Sequence, residues 1–149
     1  MADTRMSRAE REKFLAAVRV GVLSIADGAR GPLTVPVWYG YERGGEVWFV
    51  TDRDSRKGKL LLLVDRISLC VQTESAPYKY VSVEGPIAAI ERADLERHRR
   101  VLAHRYLGKE LGDGYLAASE TSGEENIVVR LRPERWLSVD YSKAFGSGA

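Results

Sequence analysis

Between Phe49 and Lys59 the chain reads Phe-Val-Thr-Asp-Arg-Asp-Ser-Arg-Lys-Gly-Lys, which sets the hydroxyls of Thr51 and Ser55 beside the cations Arg56, Lys57 and Lys59. A phosphate is held by several hydrogen-bond donors converging on one point together with positive charge. If Thr51 closes a strand and Ser55 opens a helix, free backbone amides, hydroxyls and basic side chains converge in that way. The run contains no Walker-type GxxxxGK. A plainer reading stands beside this one: Ser55 only caps the helix, and Arg56, Lys57 and Lys59 form its solvated face.

A second stretch, Pro32-Leu-Thr-Val-Pro-Val-Trp-Tyr39, has a proline inside a strand pattern. Proline gives a ladder no donor, so this strand is an edge, or a ligand replaces the neighbouring strand at Pro36. Trp38 and Tyr39 offer flat apolar surface to a ring system, while the alternative is that both are core aromatics. His98 and His104 share one expected helix at a spacing that puts them on different faces, which suits packing or surface roles and not a metal pair. Glu124-Glu125 falls in a polar loop and reads as solvated. Tyr39, Tyr78 and Tyr80 are candidate proton donors, and no residue is assigned as catalytic.

These residues need a scaffold, and alternation supplies one. Ser7 with Glu10 reads as a capping box for a short lid helix to about Ala17. Val20 to Ala26, Leu33 to Tyr41 and Glu46 to Thr51 read as a three-stranded meander joined at Asp27–Gly31 and Glu42–Gly45. Ser55 caps a helix Arg56 to Val64, followed by strands Ile67 to Thr73 and Tyr78 to Ile90, the latter bent at Gly85-Pro86. Helical spacing returns from Asp94 to Leu107, with Gly108 as its stop and a short helix from Gly112 to Ala118. A polar loop covers Glu120 to Glu125, and strands Ile127 to Arg132 and Trp136 to Tyr141 complete the pattern. The fold class is mainly β with helical additions, a six- to seven-stranded antiparallel barrel in one domain over 1–149, with 1–6 and 146–149 disordered.

At 149 residues and 44% hydrophobic, the chain can bury a single core. A formal charge of +2 excludes a dedicated nucleic-acid surface. The lone Cys70 allows no internal disulfide and is expected to be buried. The charged opening MADTRMSRAEREKFL lacks the apolar core of a signal peptide, and no apolar run is long enough to span a bilayer. A cytoplasmic protein without a membrane partner is expected.

The pattern FxTxxxSxK, here Phe49, Thr51, Ser55 and Lys57, resembles the phosphate-binding signature of pyridoxamine 5′-phosphate oxidase-like split β-barrels. Thr34–Tyr39, Ser68–Gln72, Tyr80–Gly85 and Arg132–Trp136 resemble members of that family in the same order, so the similarity spans about Ser7 to Tyr141. It is nearest the actinobacterial branch of flavin- and deazaflavin-dependent oxidoreductases. The resemblance implies an FMN-binding-like split barrel that works as a homodimer and exchanges a hydride between coenzyme F-420 or FMN and a small organic substrate. It further implies a cofactor phosphate at Thr51, Ser55, Arg56 and Lys57, with the ring along Val35, Pro36, Val37 and Trp38 and a lesser contact from Gln72. Tyr78, Tyr80, Arg135 and Trp136 are then the candidates to reach a partner subunit or substrate. Lys59, Arg30 and Arg53 could form a positive lip for the anionic tail of the deazaflavin. The alternatives are a non-enzymatic carrier of flavin, deazaflavin or haem, an FMN-dependent pyridoxamine 5′-phosphate oxidase, and a ligand-free interaction module.

Overall fold

A computed structural model describes residues 2–119 and 125–145. Of the loop expected from Glu120 to Glu125, and of its Glu124-Glu125 pair, only Glu125 falls among the described residues, and the expected tail 146–149 lies outside them. Helix α1 (Arg8–Ala16) opens as its sequence predicts: the Ser7 hydroxyl accepts the Glu10 N–H and the Glu10 carboxylate accepts the Ser7 N–H. Strands β1 (Gly21–Asp27) and β2 (Arg30–Val37) form a hairpin. They are followed by β3 (Gly40–Tyr41), β4 (Val47–Asp52), α2 (Arg56–Leu61), β5 (Arg66–Gln72) and the long β6 (Lys79–Arg92). A π-helical turn (Leu95–Arg99) leads into α3 (Arg100–Leu107), which stops at Gly108 before α4 (Lys109–Ala118). Strands β7 (Asn126–Leu131) and β8 (Arg135–Asp140) and the short α5 (Ser142–Phe145) complete the described chain. No helix among the described residues is long and apolar enough to cross a membrane.

The mainly β, antiparallel expectation is met, with a different strand count and without closure. The order is β2-β1-β5-β6-β7-β4-β3, with β8 added on β6, so the eight-stranded sheet ends on β2 and β3. The additional strand comes from Leu33 to Tyr41, which is not continuous. The Tyr39 N–H is taken by the Tyr106 hydroxyl at 3.1 Å, not by a strand, and the chain divides there. Before the break β2 pairs with β1, and after it β3 pairs with β4, so the expected meander is split between two sheets.

Strand β6 joins those sheets. Its first half, Lys79 to Glu84, lies between β5 and β8, and beyond Gly85-Pro86 its second half pairs with β7. Gly85 is required here by close approach, since a Cβ would sit 1.8 Å from the Arg132 carbonyl oxygen. The crossing loop is fastened by Arg132 N–H to Pro86 O (3.1 Å) and Glu134 N–H to Glu84 O (3.0 Å). Inward residues from both sheets, among them Leu23, Ile25, Phe49, Leu69, Val81 and Val83, form the core.

Two expectations are corrected. Helix α1 plugs the core instead of covering a site: Phe14 and Leu15 are buried, and the Tyr39 hydroxyl donates to the Leu15 carbonyl at 2.7 Å. Residues 2–6 are not disordered, because Met6 is buried and donates its N–H to Ser138 Oγ (3.1 Å), while the Asp140 N–H donates to Thr4 O (2.7 Å).

Gly85→Ala is expected to destabilise the fold by about 2–3 kcal/mol, since a backbone carbonyl cannot rotate away as a side chain can. In thermal unfolding that corresponds to a loss of roughly 6–10 °C. A melting temperature equal to that of the unmodified chain would show that the crossing is loose.

Candidate functional site

The site is built where β4 turns into α2. Alternation along β4 buries Val47, Phe49 and Thr51 and leaves Trp48, Val50 and Asp52 partly exposed. The chain then folds tightly back: the Asp54 N–H donates to Asp52 Oδ1 (2.8 Å), and the Ser55 hydroxyl donates to Asp52 O (2.7 Å) and accepts the Gly58 N–H (3.0 Å). Gly58 permits this, as a Cβ there would stand 2.2 Å from Asp52 O. The Ser55 hydroxyl is therefore committed to the turn, and Thr51 Oγ1 lies 3.4 Å from it. Helix α2 is six residues long, shorter than the span to Val64 that its apolar residues suggest.

The basic residues of this stretch diverge. Arg56 pairs with Asp27 at the end of β1, in an outer cleft that it shares with Arg30 and Lys59. Lys57 enters a cavity of about 470 Å³. One wall comes from Pro36, Val37 and Trp38, and another from Val50, Thr51 and Asp52, with Asn126 of β7 beside them. The roof is the α3–α4 hairpin and the turn before it, through Arg99, Leu102, Tyr115, Leu116 and Ser119. Burial pushes the Lys57 ammonium below the usual lysine range, and no ion pair to it occurs among the described residues.

Trp38 is held in place by aromatics. It stacks on Tyr106 (5.2 Å, 6° between planes) and meets Tyr115 at 5.3 Å and 55°. The Tyr106 hydroxyl in turn donates to the Arg19 carbonyl at 2.6 Å. Tyr39, in contrast, is fully buried with its hydroxyl donated to the Leu15 carbonyl, and that burial pushes its phenol well above the usual range, so it is a core aromatic and not an exposed platform.

Of the nine residues expected at a cofactor, the cavity gathers Pro36, Val37, Trp38, Thr51 and Lys57. Ser55 and Arg56 stand outside as described, and Val35 packs on the core. Gln72 lies opposite Tyr80 on the outer face of the β2-β1-β5-β6-β8 sheet, and Arg135 shares that face. Tyr78 is exposed at 52%, before β6. Trp136 turns inward, packed against the core and covered by the Arg11 guanidinium 4.6 Å from its ring. Cys70 is half-buried on the outer face instead of being a core residue. His98 packs edge-on to Trp48 (5.6 Å), and His104 bonds Asp113 (2.6 Å). Arg99, Tyr115, Ser119 and Asn126 went unread in the sequence. Arg99 sits in a run of basic residues that looks like a solvated face, and the π turn shifts the helical phase on which such a reading depends.

A sequence model described as pyridoxamine 5′-phosphate oxidase matches residues 7–140. Among solved structures, a conserved hypothetical protein from Mycobacterium tuberculosis is 25% identical with a TM-score of 0.78, covering 100% of this chain and 94% of that one. An F-420 reductase is 18% identical with a TM-score of 0.69, covering 85% of this chain and 94% of that one. A heme binding protein from Mycobacterium smegmatis is 22% identical with a TM-score of 0.60, covering 99% of this chain and 57% of that one. No curated protein matches the chain by sequence.

The environment of Lys57 gives a pH signature. The folded chain holds its proton less tightly than the unfolded chain does, so stability should rise as pH climbs through the lowered folded pKa towards the unfolded value of about 10.4. Lys57→Met should flatten that rise in urea unfolding between pH 8 and about 10.5. A slope unchanged by the substitution would place the ammonium in solvent.

Proposed function

The chain belongs to the pyridoxamine 5′-phosphate oxidase family, and from that premise we propose that it is an oxidoreductase that binds coenzyme F-420 or FMN and acts on a small organic substrate. The observation that carries this reading is the cavity itself. It sets a half-buried ammonium, without an ion pair among the described residues, and the Thr51 hydroxyl beside the edge strand β2 with its donor-free Pro36. The residues fit a phosphorylated ring. Lys57 and Thr51 match a phosphate, while Pro36, Val37 and Trp38 offer an apolar wall along a backbone edge that no described strand pairs. The cofactor, when bound, supplies hydride exchange, and the protein holds and screens it. Lys57 neutralises anionic charge, the free β2 edge offers backbone groups to the ring, and Trp38, Tyr115 and Leu116 keep water away. Arg30, Arg56 and Lys59 in the outer cleft fit the polyanionic tail of the deazaflavin, and a likeness to an F-420 reductase points the same way.

Lys57→Ala should leave the fold intact and weaken binding of FMN and of the deazaflavin about ten- to a hundredfold, the loss of one charge-assisted hydrogen bond worth roughly 1.5–3 kcal/mol. Riboflavin, which lacks the phosphate, should be affected far less. Equal affinity of variant and unmodified chain, measured by fluorescence titration, would remove Lys57 from the site. Binding without turnover of any reducible substrate by the reduced cofactor would support a carrier in place of an enzyme.

The same reading includes a homodimer. Across the outer sheet face, Pro36 pairs with Val22, Val22 with Cys70, Cys70 with Ser82 and Ser82 with Leu137, so one row of small and apolar residues crosses five strands. Leu137 is 59% exposed and Val22 39%. Pro36 belongs both to this row and to the cavity, so a second copy seated on the face would border the site, with Gln72, Tyr80 and Arg135 in the interface. Leu137→Glu should convert a dimer into a monomer in light scattering at micromolar concentration. A monomeric unmodified chain would end the proposal.

A further inference from the structure

The structure leaves the proposed phosphate with too little positive charge. Arg56 is spent on Asp27, the Ser55 hydroxyl is spent on the turn, and α2 is too short to supply a helix-end anion site. Lys57 is the only basic residue of that stretch that lines the cavity. The phosphate monoester of FMN carries about −1.5 to −2 charges near neutrality, more than one ammonium offsets. Asp52, whose Oδ1 accepts the Asp54 N–H, adds negative charge to the same wall.

A second cation lines the cavity from the roof. Arg99 is half-buried, and its one described side-chain hydrogen bond is a weak 3.5 Å contact from Nη2 to Ser119 Oγ. No carboxylate lies within ion-pair distance of it among the described residues, whereas its neighbour Arg100 is held by Glu96 (3.0 Å) and Asp113 (2.5 Å). The backbone that positions Arg99 is unusual. The Arg99 N–H donates to Asp94 O (3.2 Å) and the Arg100 N–H to Leu95 O, which closes a π turn. Asp94 pins that turn by accepting the Arg97 N–H on Oδ1 (2.8 Å) and by donating its own N–H to His98 Nδ1 (2.8 Å). The result sends consecutive side chains to different places, His98 against Trp48 and Arg99 to the cavity. Turns of this kind are rare and recur at functional sites.

We infer that Arg99 is the roof-side grip on the ligand's phosphate, so that one oxyanion is clamped between Lys57 on the sheet side and Arg99 on the π turn that leads into the helical hairpin. The inference rests on the cofactor reading above for the identity of the ligand, but not for its phosphate chemistry. Binding then fastens the α3–α4 hairpin to the sheets through the ligand.

The test compares FMN, the deazaflavin, riboflavin and inorganic pyrophosphate on the full chain, on Arg99→Ala and on Arg99→Lys, with circular dichroism as the check on folding. Arg99→Ala should weaken FMN at least about tenfold and riboflavin less than about twofold, and Arg99→Lys should recover part of the loss. FMN binding that is unchanged in Arg99→Ala, or an equal loss for FMN and riboflavin, overturns the clamp and leaves the cofactor reading standing. If the unmodified chain binds neither FMN nor the deazaflavin but binds pyrophosphate in an Arg99-dependent way, the cofactor reading fails and the clamp stands. No binding of any phosphorylated probe removes both.

Discussion

One hydrogen bond governs the layout of this chain: the Tyr106 hydroxyl accepts the Tyr39 N–H and so holds the point where the second strand leaves one sheet and enters the other. A buried amide left without a partner costs about 1–3 kcal/mol, so the break between β2 and β3 is tolerable only with a substitute acceptor in place. Tyr106 provides it from α3, and its ring is stacked on Trp38, the residue before the break. Helix, break and aromatic wall therefore form together. Without the break, β2 would run straight into β3, and no gap would separate the β2 edge from β4.

The helical hairpin reaches the sheets with its own geometry already set. Asp113 on α4 accepts from Arg100 (2.5 Å) and Lys109 (3.2 Å) and bonds His104 (2.6 Å), and the hydrogen bonds to His104 and Lys109 hold its carboxyl down to about 2. The group is partly exposed, so its worth lies in fixing the angle between α3 and α4 more than in stability. Arg105 then ties α3 to α1, donating to the Ala16 and Ala17 carbonyls at 3.0 and 3.1 Å. Those oxygens at the end of α1 have no partner within that helix, and a guanidinium from another element satisfies them. Helices α1 and α3 and the strand break are thus coupled through Tyr39, Tyr106 and Arg105.

Much of this was legible in the sequence because alternation and caps are local signals. The Ser7–Glu10 capping box, the strand read from Glu46 to Thr51 and the corner at Gly85-Pro86 are each written within a few residues, and each has its counterpart in the structure. Pro36 also marked an edge strand, and β2 is one. What failed depended on partners distant in sequence. Nothing near Tyr39 announces that a tyrosine 67 positions away takes its N–H. Nothing near Arg56 announces Asp27, and the order of basic residues cannot say that Lys57 turns in while its neighbour turns out. Arg99 was hidden by a change of helical period, to which periodicity analysis is blind.

The shared strand β6 has a consequence in time. Its two halves need β5, β7 and β8, and only β5 is close in sequence, so both sheets wait for contacts that close long loops of chain. Strand β8 must also arrive before residues 2–6 find the Ser138 hydroxyl and the Asp140 amide. Residues 2–6 are therefore fixed by residues more than 130 positions later in the chain. During synthesis the β1–β2 hairpin and β5 can assemble early, but β6 keeps one flank open until β8 leaves the ribosome. An unpaired strand edge of that length recruits other chains, and the interval before β8 docks is when this fold is most exposed to aggregation.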